Sequence, residues 1–139
     1  MLVNPKIRTQ DATRNFYANY LRKSNECFRA AKESFSRGDW NAAAICAIHS
    51  CIAASDAVCI YFLGKRHSGQ NHGDAVVLLG TIQSAAEGAK NNVNRLRKIL
   101  AIKNMAEYEE RLMRRSEAEI LMKDTERFLA FARSQLPEN

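Results

Sequence analysis

The run Lys103-Asn104-Met105-Ala106-Glu107-Tyr108 places an ammonium, an amide and a phenol close together. On a helix, Asn104 and Tyr108 lie one turn apart on the same face, with Lys103 beside them. Such a trio can hold a phosphate and stack or hydrogen-bond a base. The histidines are the next candidates. His67 and His72 fall in the polar stretch Gly64–Gly73 beside Lys65 and Arg66. No third ligand of fixed spacing accompanies them, so exposed loop histidines are expected rather than a metal site. His72 has the slightly better functional claim, because its loop is expected to border the same region as Lys103. His49 and Asp56 stand on the long apolar stretch, seven positions apart. That separates them by about 10.5 Å along a helix axis, too far for a hydrogen bond. His49 is expected to be a satisfied core or interface histidine. Asp56 is expected to pair with an Arg or Lys of a neighbouring helix or across a dimer, since a lone buried carboxylate is costly.

The chain carries a net charge of +6, spread unevenly. Between Lys90 and Arg115 there are eight bases and three acids, so nearly all the excess falls there. Arg95, Arg97 and Lys98 lead into Lys103, which permits contact with nucleic acid, nucleotide phosphates or an acidic partner. A solvated helix face is the plainer alternative. Cys27, Cys46, Cys51 and Cys59 show no CxxC spacing and read as small core hydrophobes. No metal or cofactor is implied. Neither a nucleophile elbow nor a glycine-rich phosphate loop is present.

The elements that must carry these residues are helical. Pro5 and Pro137 stand at the two ends, and no alternating β-branched run occurs. Asp39–Leu63 reads as one helix, apolar on nearly every side and rich in alanine, that other helices must surround. Asp56 and His49 within it argue against a membrane span. The N-terminus has no apolar core like that of a signal peptide, so a cytoplasmic protein is expected. Residues 1–10 read as a lead-in, and residues 11–137 as a single domain. An amphipathic helix with an aromatic stripe is predicted over Asp11–Arg37, joined to the central helix by Arg37-Gly38-Asp39. Asp74 is a plausible cap for a third helix reaching Ala86. A fourth helix runs from about Asn91 to Glu110. Ser116 and Glu119 form a capping box for the last helix. The fold class is all-α, an up-and-down bundle of four or five helices.

These pieces together resemble the small prokaryotic HEPN domains, over roughly Arg14 to Leu136. The resemblance rests on the first helix ending in a Gly-Asp-aromatic turn, the alanine-rich second helix, and a polar loop with His72 before the third. It continues through the Lys103–Tyr108 segment and the last helix starting Ser116-Glu117-Ala118-Glu119. In that family an Arg, a polar residue and a later His form a metal-independent ribonuclease motif, and the motifs of two subunits face each other across a dimer cleft. Here Lys103 stands for the arginine, Asn104 for the polar residue, and Tyr108 for the histidine. A phenol with a pKa of about 10 is a poor base at neutral pH. Lysine keeps the charge but loses the two-pronged grip on phosphate.

The resemblance therefore implies the non-catalytic branch, commonly paired with a minimal nucleotidyltransferase in a toxin–antitoxin or nucleotide-sensing pair. The expectation is a homodimer whose cleft binds nucleotide, RNA or that partner through Arg95, Arg97, Lys98, Lys103, Asn104 and Tyr108. One alternative is a weak ribonuclease using Lys103 with Tyr108 or His72. Another is a plain helical interaction domain.

Overall fold

The computed structural model describes residues 7–69, 71–82 and 88–137. Helices α1 (Tyr17–Ser36) and α2 (Trp40–Leu63) form an antiparallel hairpin. Phe35 meets Trp40 at one end, Tyr17 meets Tyr61 at the other, and Ser24 Oγ donates to Ser50 O between them. At the joint, Gly38 adopts φ +79°, a conformation that favours glycine. Its amide donates to Phe35 O and the Asp39 amide to Ser34 O, which satisfies the last carbonyls of α1. The Asp39 side chain makes no capping bond. It stands 3.7 Å from Arg37 Nε instead.

The α2 helix is the buried centre. Ala43, Ala47, Ile48, Cys51, Ala54 and Ala57 are all closed to solvent. Leu121, Phe128 and Leu129 of α6 (Arg115–Ser134) and Leu96 and Ile99 of α4 (Ala89–Ala101) complete the core around it. Small residues on α2 let these large ones pack close. By length and composition α2 could cross a membrane, but 78% of its apolar window is buried inside the protein. Burial pushes the thiols of Cys51 and Cys59 up to about 12, which leaves them as small apolar groups. Cys27 and Cys46 are half-buried.

The all-α reading holds, with differences at the joints. Thr9–Asp11, expected to lie across the boundary between lead-in and first helix, forms a strand, β1. It pairs antiparallel with β2 (Lys65–His67), setting Thr9 opposite His67 and Gln10 opposite Arg66. The first helix therefore starts only at Tyr17, after a single 3-10 turn at Arg14–Phe16. Gly64, at φ +69°, ends α2 and reverses the chain into β2.

Helix α3 (Gly73–Gly80) is capped by Asn71, whose Oδ1 accepts from the Gly73 amide at 2.9 Å, while Asp74 sits inside the first turn. Its expected extension to Ala86 falls mostly outside the described residues. The predicted fourth helix is divided at Ile102 into α4 and a short α5 (Lys103–Tyr108). The break lets α5 lean on α2, with Ile102, Met105 and Ala106 packed against the core. The Ser116–Glu119 box does not form. The N-cap is Arg114, two residues earlier, so Glu117 reaches back to the Arg114 amide at 2.8 Å and Glu119 pairs with Arg115.

Candidate functional site

An open cleft of about 830 Å³ lies between the start of α3 and the α4–α5 segment. Asn71, His72 and Gly73 form one wall. Arg97 and Leu100 of α4 and Lys103, Asn104 and Tyr108 of α5 form the other. Four of the six residues expected to bind thus line one cavity. The other two do not. Lys98 Nζ lies 3.2 Å and Arg95 Nε 3.7 Å from the buried Asp124 of α6, so both bases are drawn toward that helix. The position of Asp124 outside the basic run is why the sequence count did not reveal the pairing.

Lys103 is not a free cation. Its ammonium donates to Glu107 Oε2 at 2.6 Å, and the other oxygen of Glu107 meets His49 Nε2 at 3.0 Å. Lys103 and Glu107 are both largely buried, with side chains 12% and 15% exposed. The Lys103 bond holds the Glu107 carboxyl below the usual carboxylate range, and the contact with His49 adds to it. Sequence reasoning overlooked Glu107, although a Lys and a Glu four apart on a helix are natural partners. Lys103 Nζ also lies 5.5 Å from the centroid of the Tyr108 ring. That ring is 72% exposed. Arg97 donates to the neutral Asn94 Oδ1 at 2.6 Å, which leaves its charge available to the cleft.

The histidines are placed otherwise than expected. His67 is buried rather than loop-exposed, because β2 folds back on α2 and brings His67 Nδ1 to 3.3 Å from Asp56 Oδ1. Asp56 is therefore satisfied by this histidine and not by a helix-borne Arg or Lys. His49 is half-exposed, 48% at its side chain, and belongs to the Lys103–Glu107 chain rather than to the core.

His72 lines the cleft, its ring 5.5 Å from that of His67. Its Nδ1 is buried without a hydrogen-bond partner among the described residues. Burial, then the nearby Lys103, His67 and His49, lower its pKa below the ordinary histidine value. A proton on Nδ1 would have no acceptor, which favours the neutral ring with its hydrogen on Nε2. In that form His72 offers the cleft a donor, not a base. The site can therefore grip an anion with Arg97 and Lys103, hydrogen-bond through Asn104, and stack a ring on Tyr108.

The family model of the HEPN domain matches residues 17–135, from the first residue of α1 to just past the end of α6. The chain belongs to the HEPN domain family. Its fold is similar to the crystal structure of TT1696 from Thermus thermophilus, with a TM-score of 0.71 over 88% of this chain and 99% of that one. At 18% identity that likeness concerns the fold alone. No curated protein matches the chain in sequence. In this HEPN domain, the positions that the sequence resemblance aligns with the ribonuclease motif all stand on α5 and open into the cleft.

Proposed function

We propose that this HEPN domain is a non-catalytic binding module whose cleft takes a nucleotide or the phosphate-bearing end of an RNA. The observation that carries the reading is the open cavity on which Arg97, Lys103, Asn104 and Tyr108 converge. Its volume is that of a small-molecule site. Arg97 and Lys103 hold phosphate, Asn104 reads a hydrogen-bonding edge, and Tyr108 stacks on the base. Lys103 must exchange Glu107 for the ligand's phosphate, so affinity is modest. The cleft lacks a well-placed base among its described residues. Tyr108 is a phenol, and the buried nitrogen of His72 disfavours the imidazolium that proton abstraction would form.

A protein contact accompanies the ligand in this reading. Tyr108, the last residue of α5, and Leu112, in the connection to α6, are 72% and 70% exposed. They suit docking of a second copy of the chain, or of a minimal nucleotidyltransferase in a toxin–antitoxin or nucleotide-sensing pair. The test is mixed RNA in EDTA with the wild-type, Lys103→Ala and Tyr108→Phe proteins, alongside calorimetric titration of nucleoside phosphates. Intact RNA with nucleotide binding that is lost in Lys103→Ala is expected. RNA cleavage that disappears in both variants would overturn the reading in favour of a ribonuclease. Sedimentation of the wild-type and Leu112→Ser proteins tests the docking face; a monomer that also leaves a nucleotidyltransferase unbound would remove that part.

A further inference from the structure

A second group of cations lies at the end of the molecule built from β1, β2 and the first turns of α1. Arg14 stacks its guanidinium 4.3 Å above the Tyr61 ring while its Nε donates to Tyr61 O at 2.9 Å. Tyr61 meets Tyr17 at 5.1 Å and Phe62 at 5.0 Å, both edge-on. One turn along α1, the Tyr20 ring carries Lys23 at 4.7 Å and the Arg66 guanidinium at 5.7 Å. Arg66 also donates to Gln10 Oε1, across the hairpin, at 3.0 Å. Arg8 stands just before β1, two residues ahead of Gln10, where its carbonyl accepts from the Ser68 amide. Asp11 and Asp74 are the acids of this end, and among the described residues neither forms an ion pair with these bases.

The aromatic rings do more than fill space. Tyr20 and Tyr61 hold two guanidinium planes in place, so little freedom is lost when those groups meet phosphate. Phe16 and Phe62 remain 48% and 44% exposed beside them. A surface that needed only charge would have no use for exposed flat rings, and an apolar contact would not gather unpaired cations. Fixed guanidinium groups beside open aromatic faces suit a flexible polyanion whose monomers carry rings. We infer that this hairpin end binds single-stranded nucleic acid, with Arg14 and Arg66 on phosphates and Phe16 and Phe62 stacking bases. The inference does not rest on the cleft.

Fluorescence anisotropy of a labelled oligouridylate tests it, with thermal melts confirming that each variant stays folded. The wild-type affinity is expected to fall steeply with salt. Arg14→Ala with Arg66→Ala should lower affinity at least about tenfold and flatten the logarithmic salt slope by about 1.4, the share of two phosphate contacts on a single strand. Phe16→Ala with Phe62→Ala should lose about tenfold with the slope unchanged. Lys123→Ala, an exposed base of α6 outside both surfaces, should bind as wild type. Loss in Lys103→Ala but not in the hairpin variants would assign the strand to the cleft and overturn this inference while leaving the proposed function standing. Equal binding of polyglutamate, indifferent to the phenylalanine changes, would reduce the surface to a site for acidic polypeptide and overturn it. So would an absence of binding at low salt.

Discussion

The segment from Lys90 to Arg115 and the β-hairpin end teach opposite lessons about charge. The first holds the larger excess of bases by count, yet Arg95, Lys98, Lys103, Arg111 and Arg115 each lie within 4.0 Å of a carboxylate. Two of their partners, Glu117 and Glu119, begin the next helix, and a third, Asp124, lies deeper along it. The hairpin end has fewer bases, and Arg14, Lys23 and Arg66 lie over tyrosine rings rather than pair with acids. A paired base offers an incoming anion less than a free one, because the anion must first displace the carboxylate, as it must displace Glu107 at Lys103. The pairing of a base, more than its sequence neighbours, decides whether its charge is available.

The largest expected effect is on the joint that seats the hairpin. Asp56→Ala removes the buried partner of His67 and should cost about 2–3 kcal/mol in urea denaturation at neutral pH. A cost near zero would mean that the pair does not hold β2 on α2. Asp124→Ala frees Arg95 and Lys98 and should cost about 1–2 kcal/mol, while the protein elutes later from heparin. Unchanged elution would show that pairing is not what mutes this segment. Glu107→Gln releases Lys103 within the cleft, and calorimetry should report nucleotide affinity raised about fivefold.

The smallest effect concerns pH. His72 is harder to protonate folded than unfolded, so the unfolded chain binds more protons once the pH falls through the ordinary value of 6.5. Stability should decline from there until the lower folded pKa is passed, and thermal melts of His72→Gln should show a shallower decline. Identical pH profiles would remove the burial argument for His72.

Much of the fold was legible because it depends on periodicity. The aromatic stripe of α1, the all-round apolarity of α2 and the apolar face of α6 each announce a helix and its buried side. The resemblance carried the family, and Lys103, Asn104 and Tyr108 could be placed on one face from spacing alone. Features requiring two distant segments to meet were not legible. β1 is only three residues long with all three exposed, so it has no hydrophobic pattern to read. His67 looked like a loop residue because nothing in its neighbourhood names Asp56, eleven positions back on another element. The division at Ile102 falls within an unbroken helical pattern, with no Pro or Gly to mark it. Glu107 was the avoidable miss, since its spacing from Lys103 is local.

The cleft remains the centre of the account, and nucleotide titration in EDTA addresses it most directly. One series would follow a nucleoside triphosphate added to the wild-type, Arg97→Ala and Lys103→Ala proteins by calorimetry, with the nucleotide recovered and examined for hydrolysis. Saturable binding that weakens at least about tenfold in each variant, with the nucleotide returned intact, is the predicted result. Binding indifferent to both substitutions, or nucleotide turned over by the wild-type protein, would contradict a non-catalytic site built from Arg97 and Lys103.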